Sequence, residues 1–401
     1  MNKVLLVIGD GMGDAAYNEL GKRTPLAISK TPNLDRLASS GISGMLYPVG
    51  QGKVPSSMAA HRAILGDRDF ENTIGRGLFA AMASGIQLET GDIAFRCDLS
   101  TVVEGIVIDE RAGRIKDTSE IQNYINGLSP IDGIEFEYRA VLEYRGALVI
   151  RNRGRFKGFN VSDIFSFEGK TIQESVGFDE NSKDLARFIN KLYYRVQEML
   201  HTNFKASTAN AITLRGASQH VELESSILLE KDIKGAFVTA LPDVFGVLKF
   251  CGLTPLVNLS DVSVKNINKE EYINPILDNF EQFDLFVINI GSFDAAGHDG
   301  DLRKKVELFE ELDAMIGYYI ENTGDSSTII ITADHSTLCS TKQHSVLPVP
   351  LVVSNTDNGF DQVKEFSEED ILLHGILGNI SDGTVVANLI AANLGKGVYI
   401  A

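Results

Sequence analysis

Three short apolar runs organise the chain. Lys3–Ile8, Leu285–Ile290 and Thr328–Thr332 are rich in β-branched residues, and each leads into acidic or histidine residues. Asp10 follows the first, Asp294 and His298 the second, and Asp334 and His335 the third. Near-continuous apolar runs, rather than alternating ones, predict strands buried on both faces of a parallel sheet. Ligands of such sheets bind beyond the carboxyl ends of the strands. Three distant segments are therefore expected to deliver metal-type side chains to one sheet edge.

The middle of the chain has a different pattern. Ile106–Arg114, Ala140–Arg151 and Asn160–Phe167 read as short strands, with helices near Thr118–Leu128 and Lys183–His201. The expectation is an α+β insertion, residues 76–209, between the two parts of an α/β core made of residues 1–75 and 210–401. Past the second run, Asp299–Gly317 has helical spacing, with Val306, Phe309, Leu312, Asp313 and Ile316 on one face.

With 401 residues and a hydrophobic fraction of 44%, the chain can bury a sizeable core. Asp and Glu outnumber Lys and Arg 54 to 37, a formal charge of −17. Such a surface repels nucleic acid and anionic membrane, so neither is an expected partner, whereas a phosphorylated small molecule fits a cleft that gathers metal ions and arginines. Cys97, Cys251 and Cys339 include no CxxC pair, which argues against a disulfide framework or thiolate zinc site and suits a reducing cytoplasm. The N-terminal apolar run, Val4–Ile8, is too short for a signal-peptide core, and no stretch has the length of a transmembrane span.

The candidate chemistry gathers at the ends of the three runs. Asp294 and His298, four apart, would share one face of a helical turn, as a common metal ion requires; the same spacing also suits a helix surface. Asp334-His335 could both turn toward one ion, or Asp334 could cap a helix. Asp10 in Gly9-Asp10-Gly11 fits a metal ligand or an Asx turn, and His344 a ligand or a plain loop position. The turn Val54-Pro55-Ser56-Ser57 precedes an apparent helix, whose N-terminal N–H groups favour phosphate. A serine there is either a cap or a nucleophile whose hydroxyl a divalent metal would activate.

Longer motifs carry a resemblance. Gly9-Asp10-Gly11 with Thr31-Pro32-Asn33-Leu34-Asp35-Arg36-Leu37-Ala38 resembles the opening of the alkaline-phosphatase superfamily. Pro55–Gly66, Gly75-Arg76-Gly77, Gly91–Arg96, Asp109–Arg114, Ala209–Ala217, His298–Asp301 and Thr332–Pro350 resemble the archaeal-type cofactor-independent phosphoglycerate mutases, in order along nearly the whole chain. The resemblance implies an alkaline-phosphatase-like core with a mostly parallel sheet flanked by helices, plus the inserted domain. It implies interconversion of 3-phosphoglycerate and 2-phosphoglycerate through a phosphoserine, with two divalent ions (Mn, Mg, Co or Zn) and without 2,3-bisphosphoglycerate.

By the same resemblance Ser57 is the phosphorylated serine. Asp10, Ser57, Asp334 and His335 fall on one ion's ligands, and Asp294, His298 and His344 on the other's. His61, Arg96, Arg111 and Arg114 fall on substrate-binding positions, where an arginine fork suits carboxylate and phosphate. The chain departs from the family at Met58, where an acid is usual, and at Phe245-Gly246, where Lys-Gly is usual. It departs again at Ile164-Phe165-Ser166-Phe167, where an acid and a histidine usually follow Asp163. A phosphatase or other phosphoester hydrolase on the same scaffold is the alternative, and the missing lysine before Gly246 is the feature that favours it.

Overall fold

Strand β1 (Lys3–Gly9) is buried at every position and lies in the middle of its sheet, between two other strands. In the computed structural model, which describes residues 2–324, 327–354 and 359–397, the chain divides into two units. One comprises Met1–Asn72 with Leu223–Ala401, the other Thr73–Glu222. Numbered along the chain, the first unit contributes β1 and β2 (Ile42–Leu46). The second contributes β3 (Ile93–Val103), β4 (Ile106–Asp109), β5 (Phe136–Leu142), β6 (Arg145–Ile150) and β7 (Ala211–Gln219). The first unit resumes with β8 (Gly235–Thr239), β9 (Thr254–Pro255), β10 (Leu285–Ile290), β11 (Ser327–Ala333), β12 (Ser336–Leu338), β13 (Gln343–Ser345), β14 (Val349–Ser354) and β15 (Gly378–Ile380).

The first unit is built on an eight-stranded sheet of order β15-β2-β14-β11-β1-β10-β8-β9. Only β14 runs against its neighbours. The register sets the site: Gly9 at the end of β1 pairs with Ile290 of β10 and with Ala333 of β11. The three apolar runs thus end level, and the residues after them leave the sheet at one edge. Helix Ser292–Asp299 follows β10 and stops at Gly300, whose φ of 76° is left-handed. A second helix, Leu302–Thr323, begins after the Asp301 cap. The periodic stretch 299–317 is therefore the end of one helix and most of another, broken where glycine permits the turn. Its apolar face is buried as expected, and Asp313 on that face accepts the N–H groups of Asn33 and Leu34, in the first turn of helix Pro32–Ser39.

The second unit pairs β4, β3, β6 and β5 in one antiparallel sheet, with β7 on β3. Helices Ser119–Asn126 and Lys183–Asn203 bury one face each against its core. Since β7 pairs with β3, residues 210–222 belong to this unit and not to the core half where the sequence pattern puts them. Three other differences are local. Ala140–Arg151 spans a hairpin turn, with Glu143 at φ 51° between β5 and β6. Ile106–Arg114 ends as a strand at Asp109, whose carboxylate takes the N–H groups of Arg111 and Gly113 and so starts a turn. Asn160–Phe167 forms only single bridges, Val161 to Gly177 and Ile164 to Leu214.

Helix Arg76–Ser84 packs on β3 through Gly77, where a Cβ would stand 2.0 Å from the Ala94 carbonyl oxygen. Gly77→Ala must push the helix off the sheet. The expected loss is on the order of 2–3 kcal/mol, read by urea unfolding followed by circular dichroism; a change below about 0.5 kcal/mol would refute this packing.

Candidate metal centre and nucleophile

Asp10 leaves β1 at the common edge and is buried, as are Asp334 and His335 at the end of β11. His335 Nε2 lies 3.3 Å from both Asp10 Oδ1 and Asp334 Oδ2. Asp334 Oδ1 accepts the Gly11 N–H, while its Oδ2 is buried with no hydrogen-bond partner. An orphan carboxylate oxygen of this kind needs a cation. The close approach depends on Gly11 (φ 65°), since a Cβ there would fall 2.8 Å from the Asp294 Cα and 2.6 Å from Thr337 Oγ1.

Helix Ser292–Asp299 places Asp294 and His298 one turn apart, as expected, with His298 Nε2 3.3 Å from Asp294 Oδ1. His344, on β13, brings its Nε2 to 3.5 Å from the same oxygen, and its ring stacks on that of His335 at 3.7 Å. Asp334-His335 leads into β12, not a helix, so Asp334 is no N-cap. Further contacts orient the rings: His298 Nδ1 lies 2.9 Å from the Lys342 carbonyl and His344 Nδ1 3.2 Å from that of Pro55. Fixing the far nitrogen in this way leaves Nε2 for a metal.

The serine turn resolves its own ambiguity. Ser56 caps helix Ser57–Ile64 through its side chain, accepting the Ala59 N–H, and Ser57 is the first helical residue. Ser57 Oγ lies 3.0 Å from His335 Nε2. His61, one turn on, is fully buried beneath it. Its Nδ1 is 2.7 Å from the Ser57 carbonyl and 3.6 Å from Asp334 Oδ2, and its Nε2 is 3.0 Å from Asn289. This differs from the substrate-facing place expected for His61, because the helix turns that face into the core beside Asp10 and Asp334.

Two donor groups result. One is Asp10, His61 and Asp334, all buried; the other is Asp294, His335 and His344, of which only His335 is fully buried; each set has ligand atoms within 4.8 Å of one another. Their mixed oxygen and imidazole chemistry suits divalent ions of the Mn, Mg, Co and Zn type. Thr337, to which the sequence motifs assign no role, joins the sets: its Oγ1 donates to Asp294 Oδ1 at 2.7 Å and lies 3.1 Å from His335 Nδ1. Asn289, a polar residue inside an apolar run, is the visible signal of a buried contact. Lys305 is less visible: its buried ammonium donates to the carbonyls of Gly13 and Thr337 and to Asp14, tying the loop after Asp10 to the strand after His335.

The buried carboxylates and imidazoles shift one another strongly. Burial, reinforced by Asp334, pushes the Asp10 carboxyl up to about 6, and burial likewise raises Asp334. For His335 burial opposes the charge, but Asp334 and Asp10 prevail and lift it to about 9. For Asp294 burial is outweighed by His298 and His344, which hold its carboxyl well below the usual range. Burial lowers His61.

Of the expected arginines, all in the second unit, Arg96 is buried on β3 with its Nε and Nη2 on Asp98 at 2.8 and 2.7 Å. Arg111 and Arg114 are exposed around the turn Ala112–Arg114, with Arg114 3.8 Å from Glu143. Arg96 lies instead beside Arg215, its register partner on β7. Phe245, one of the departures from the family motif, is buried against Phe237.

A parallel sheet that gathers carboxylates and imidazoles at one edge defines a metal-dependent enzyme of the α/β class. The model of the metalloenzyme superfamily matches residues 2–393. The 2,3-bisphosphoglycerate-independent phosphoglycerate mutase of Pyrococcus abyssi is 33% identical over 396 residues, covering 96% of each chain. That of Methanocaldococcus jannaschii is 34% identical over 381 residues and 91% of each chain. Among solved structures, the PH0037 protein of Pyrococcus horikoshii has a TM-score of 0.82 at 25% identity, over 100% of this chain and 99% of that one. The chain belongs to the 2,3-bisphosphoglycerate-independent phosphoglycerate mutases.

His335 gives the metal-free protein a defined pH dependence. A histidine raised to about 9 stabilises the fold fully below its unfolded value near 6.5, and that stability is lost as pH rises through 9. The melting temperature of chelator-treated protein should therefore fall between pH 6.5 and 9. Saturating divalent metal, which needs neutral imidazole, should abolish the fall, and His335→Gln should lack it without metal. A metal-free melting temperature flat across this range in the unsubstituted protein would contradict the assignment.

Proposed function

We propose that the chain interconverts 3-phosphoglycerate and 2-phosphoglycerate through a phosphoserine on Ser57. The observation that carries this reading is the serine hydroxyl, 3.0 Å from His335 Nε2 at the start of a helix and beside the two donor groups. The family relationship supports the same reaction. Asp10, Ser57, Asp334 and His335 are the proposed ligands of one ion, and Asp294, His298 and His344 of the other. His61 backs the buried set. Two divalent ions held there would supply Lewis-acid charge neutralisation for the phosphoryl group; Mn, Mg, Co and Zn all fit the donors.

The chain's own part begins at Ser57. Its oxygen forms a bond to phosphorus as the ester bond to glycerate breaks, and its proton passes to the departing hydroxyl oxygen. The first-turn N–H groups of helix Ser57–Ile64 face the transferred group, and the Ser56 cap fixes that turn. Return of the phosphate to the neighbouring glycerate hydroxyl regenerates Ser57 and completes an isomerisation with no net reactant but substrate. No described helix is long and apolar enough to cross a membrane, and a cytoplasmic small-molecule enzyme is the proposed setting. Hydrolysis of a phosphoester is the second reading, favoured by Phe245, one of the departures from the family motif, which is packed in the core.

Ser57→Ala should reduce 2-phosphoglycerate formation by roughly a thousandfold or more and abolish covalent phosphate labelling. Ser56→Ala should cost about 1 kcal/mol of stability and leave turnover within a few fold. An enolase-coupled assay beside a free-phosphate assay reads both reactions. Inactivation by Ser56→Ala with an active Ser57→Ala would place the nucleophile at the wrong serine. Phosphate release without isomer formation in the unsubstituted enzyme would replace the mutase by the hydrolase.

A further inference from the structure

Thr337, in the middle of β12, is held at its backbone and at both branches of its side chain. Its N–H donates to the Gly13 carbonyl, and its own carbonyl accepts the Lys305 ammonium at 2.8 Å. Across the β12–β13 ladder it pairs with His344. The residue is fully buried. Two glycines make room for its branches: a Cβ on Gly297 would fall 2.6 Å from the Thr337 methyl, and one on Gly11 would fall 2.6 Å from the hydroxyl. A β-branched side chain gripped on both branches keeps one χ1 rotamer. The place of Oγ1 is therefore set by the fold.

The hydroxyl has a single proton. It goes to Asp294 Oδ1 at 2.7 Å, since a carboxylate that ligates a cation can only accept. His335 Nδ1, 3.1 Å from the same Oγ1, therefore meets lone pairs and must carry its own hydrogen. That leaves Nε2 facing Asp10, Asp334 and Ser57. We propose that Thr337 is a positioning residue shared by the two ions: by accepting from His335 Nδ1 and donating to Asp294, it fixes the ligating nitrogen of one and the ligating carboxylate of the other. This role rests on the proposed ligand sets, and not on whether the phosphoester is isomerised or hydrolysed. Groups that orient metal ligands typically change metal affinity about ten- to a hundredfold. One hydroxyl placed between ligands of two ions should act on both.

The test is competition titration of the full chain with manganese against a fluorescent chelator. The unsubstituted chain should bind two ions. Thr337→Val, which keeps both branches and removes the hydroxyl, should weaken each ion about ten- to a hundredfold. Thr337→Ser, which keeps the hydroxyl, should stay within a few fold. Equal loss in the two variants marks packing by the methyl and overturns the proposal, as does an unchanged affinity in Thr337→Val or a loss confined to one ion. The tautomer is read without any change at Thr337, should the valine variant fail to fold. In zinc-loaded protein with isotope-labelled histidine, the ring-nitrogen signals assigned by their loss in His335→Gln should show a proton on Nδ1; a proton on Nε2 refutes the assignment. An unsubstituted chain that binds no manganese removes the ligand sets and this role together. Two bound ions with an unaffected Thr337→Val remove this role alone.

Discussion

Buried negative charge without enough donors governs the first unit. Asp10 and Asp334 are removed from water within reach of each other, and one Asp334 oxygen has no hydrogen-bond partner. Taking a carboxylate out of water costs several kcal/mol unless a cation or donors replace the solvent. Much of the local architecture follows from that cost. Three parallel strands end level so that their loops meet; Gly11 lets two loops touch; the Lys305 ammonium and the Thr337 hydroxyl hold the backbone and rings that surround the charge. A fold selected for stability alone would fill this edge with apolar side chains. Divalent ions held by the proposed ligands would reverse the balance, because the carboxylates that repel one another would then share a cation.

Burial divides the site into a floor and a rim. Asp10, His61, Asp334 and His335 are shut from solvent, whereas Asp294, His298 and His344 remain partly accessible. Thr337 and His335 connect the two, so a change at the rim is felt at the floor through short contacts. The second unit instead brings two arginines, Arg96 and Arg215, opposite each other on adjacent strands, with Asp98 bound to Arg96.

The parts legible in the sequence are those with dense local signals. The β1, β10 and β11 runs can be read because strands buried on both faces need continuous apolar residues, and the acids after them stand at fixed offsets. Asp294 and His298 follow from helical spacing. What escapes depends on distant pairing. Nothing in the chain around Asn210 reveals that β7 will pair with β3, so sequence pattern alone draws the second unit too short. Arg215 lies within a recognisable motif, but its place opposite Arg96 and over the Phe165 ring depends on strand pairing far along the chain. His61 is misplaced by the sequence because helix periodicity does not say which face meets the core. Spacing alone does not rank Ser56 against Ser57; the family motif points to Ser57, and the structure makes Ser56 the cap.

The sheet order has a consequence for how the chain comes off the ribosome. β1 is synthesised before every other strand, yet its partners are β10 and β11, whose residues begin at Leu285 and Ser327. The second unit, by contrast, is one uninterrupted stretch that contains all of its own strands. Vectorial synthesis therefore supplies a complete, self-pairing sheet in mid-chain while β1, apolar from Val4 to Ile8, still waits for neighbours hundreds of residues downstream. Pairing at such sequence separation is slow. β1 therefore stays without either sheet neighbour until Leu285 and Ser327 have followed it.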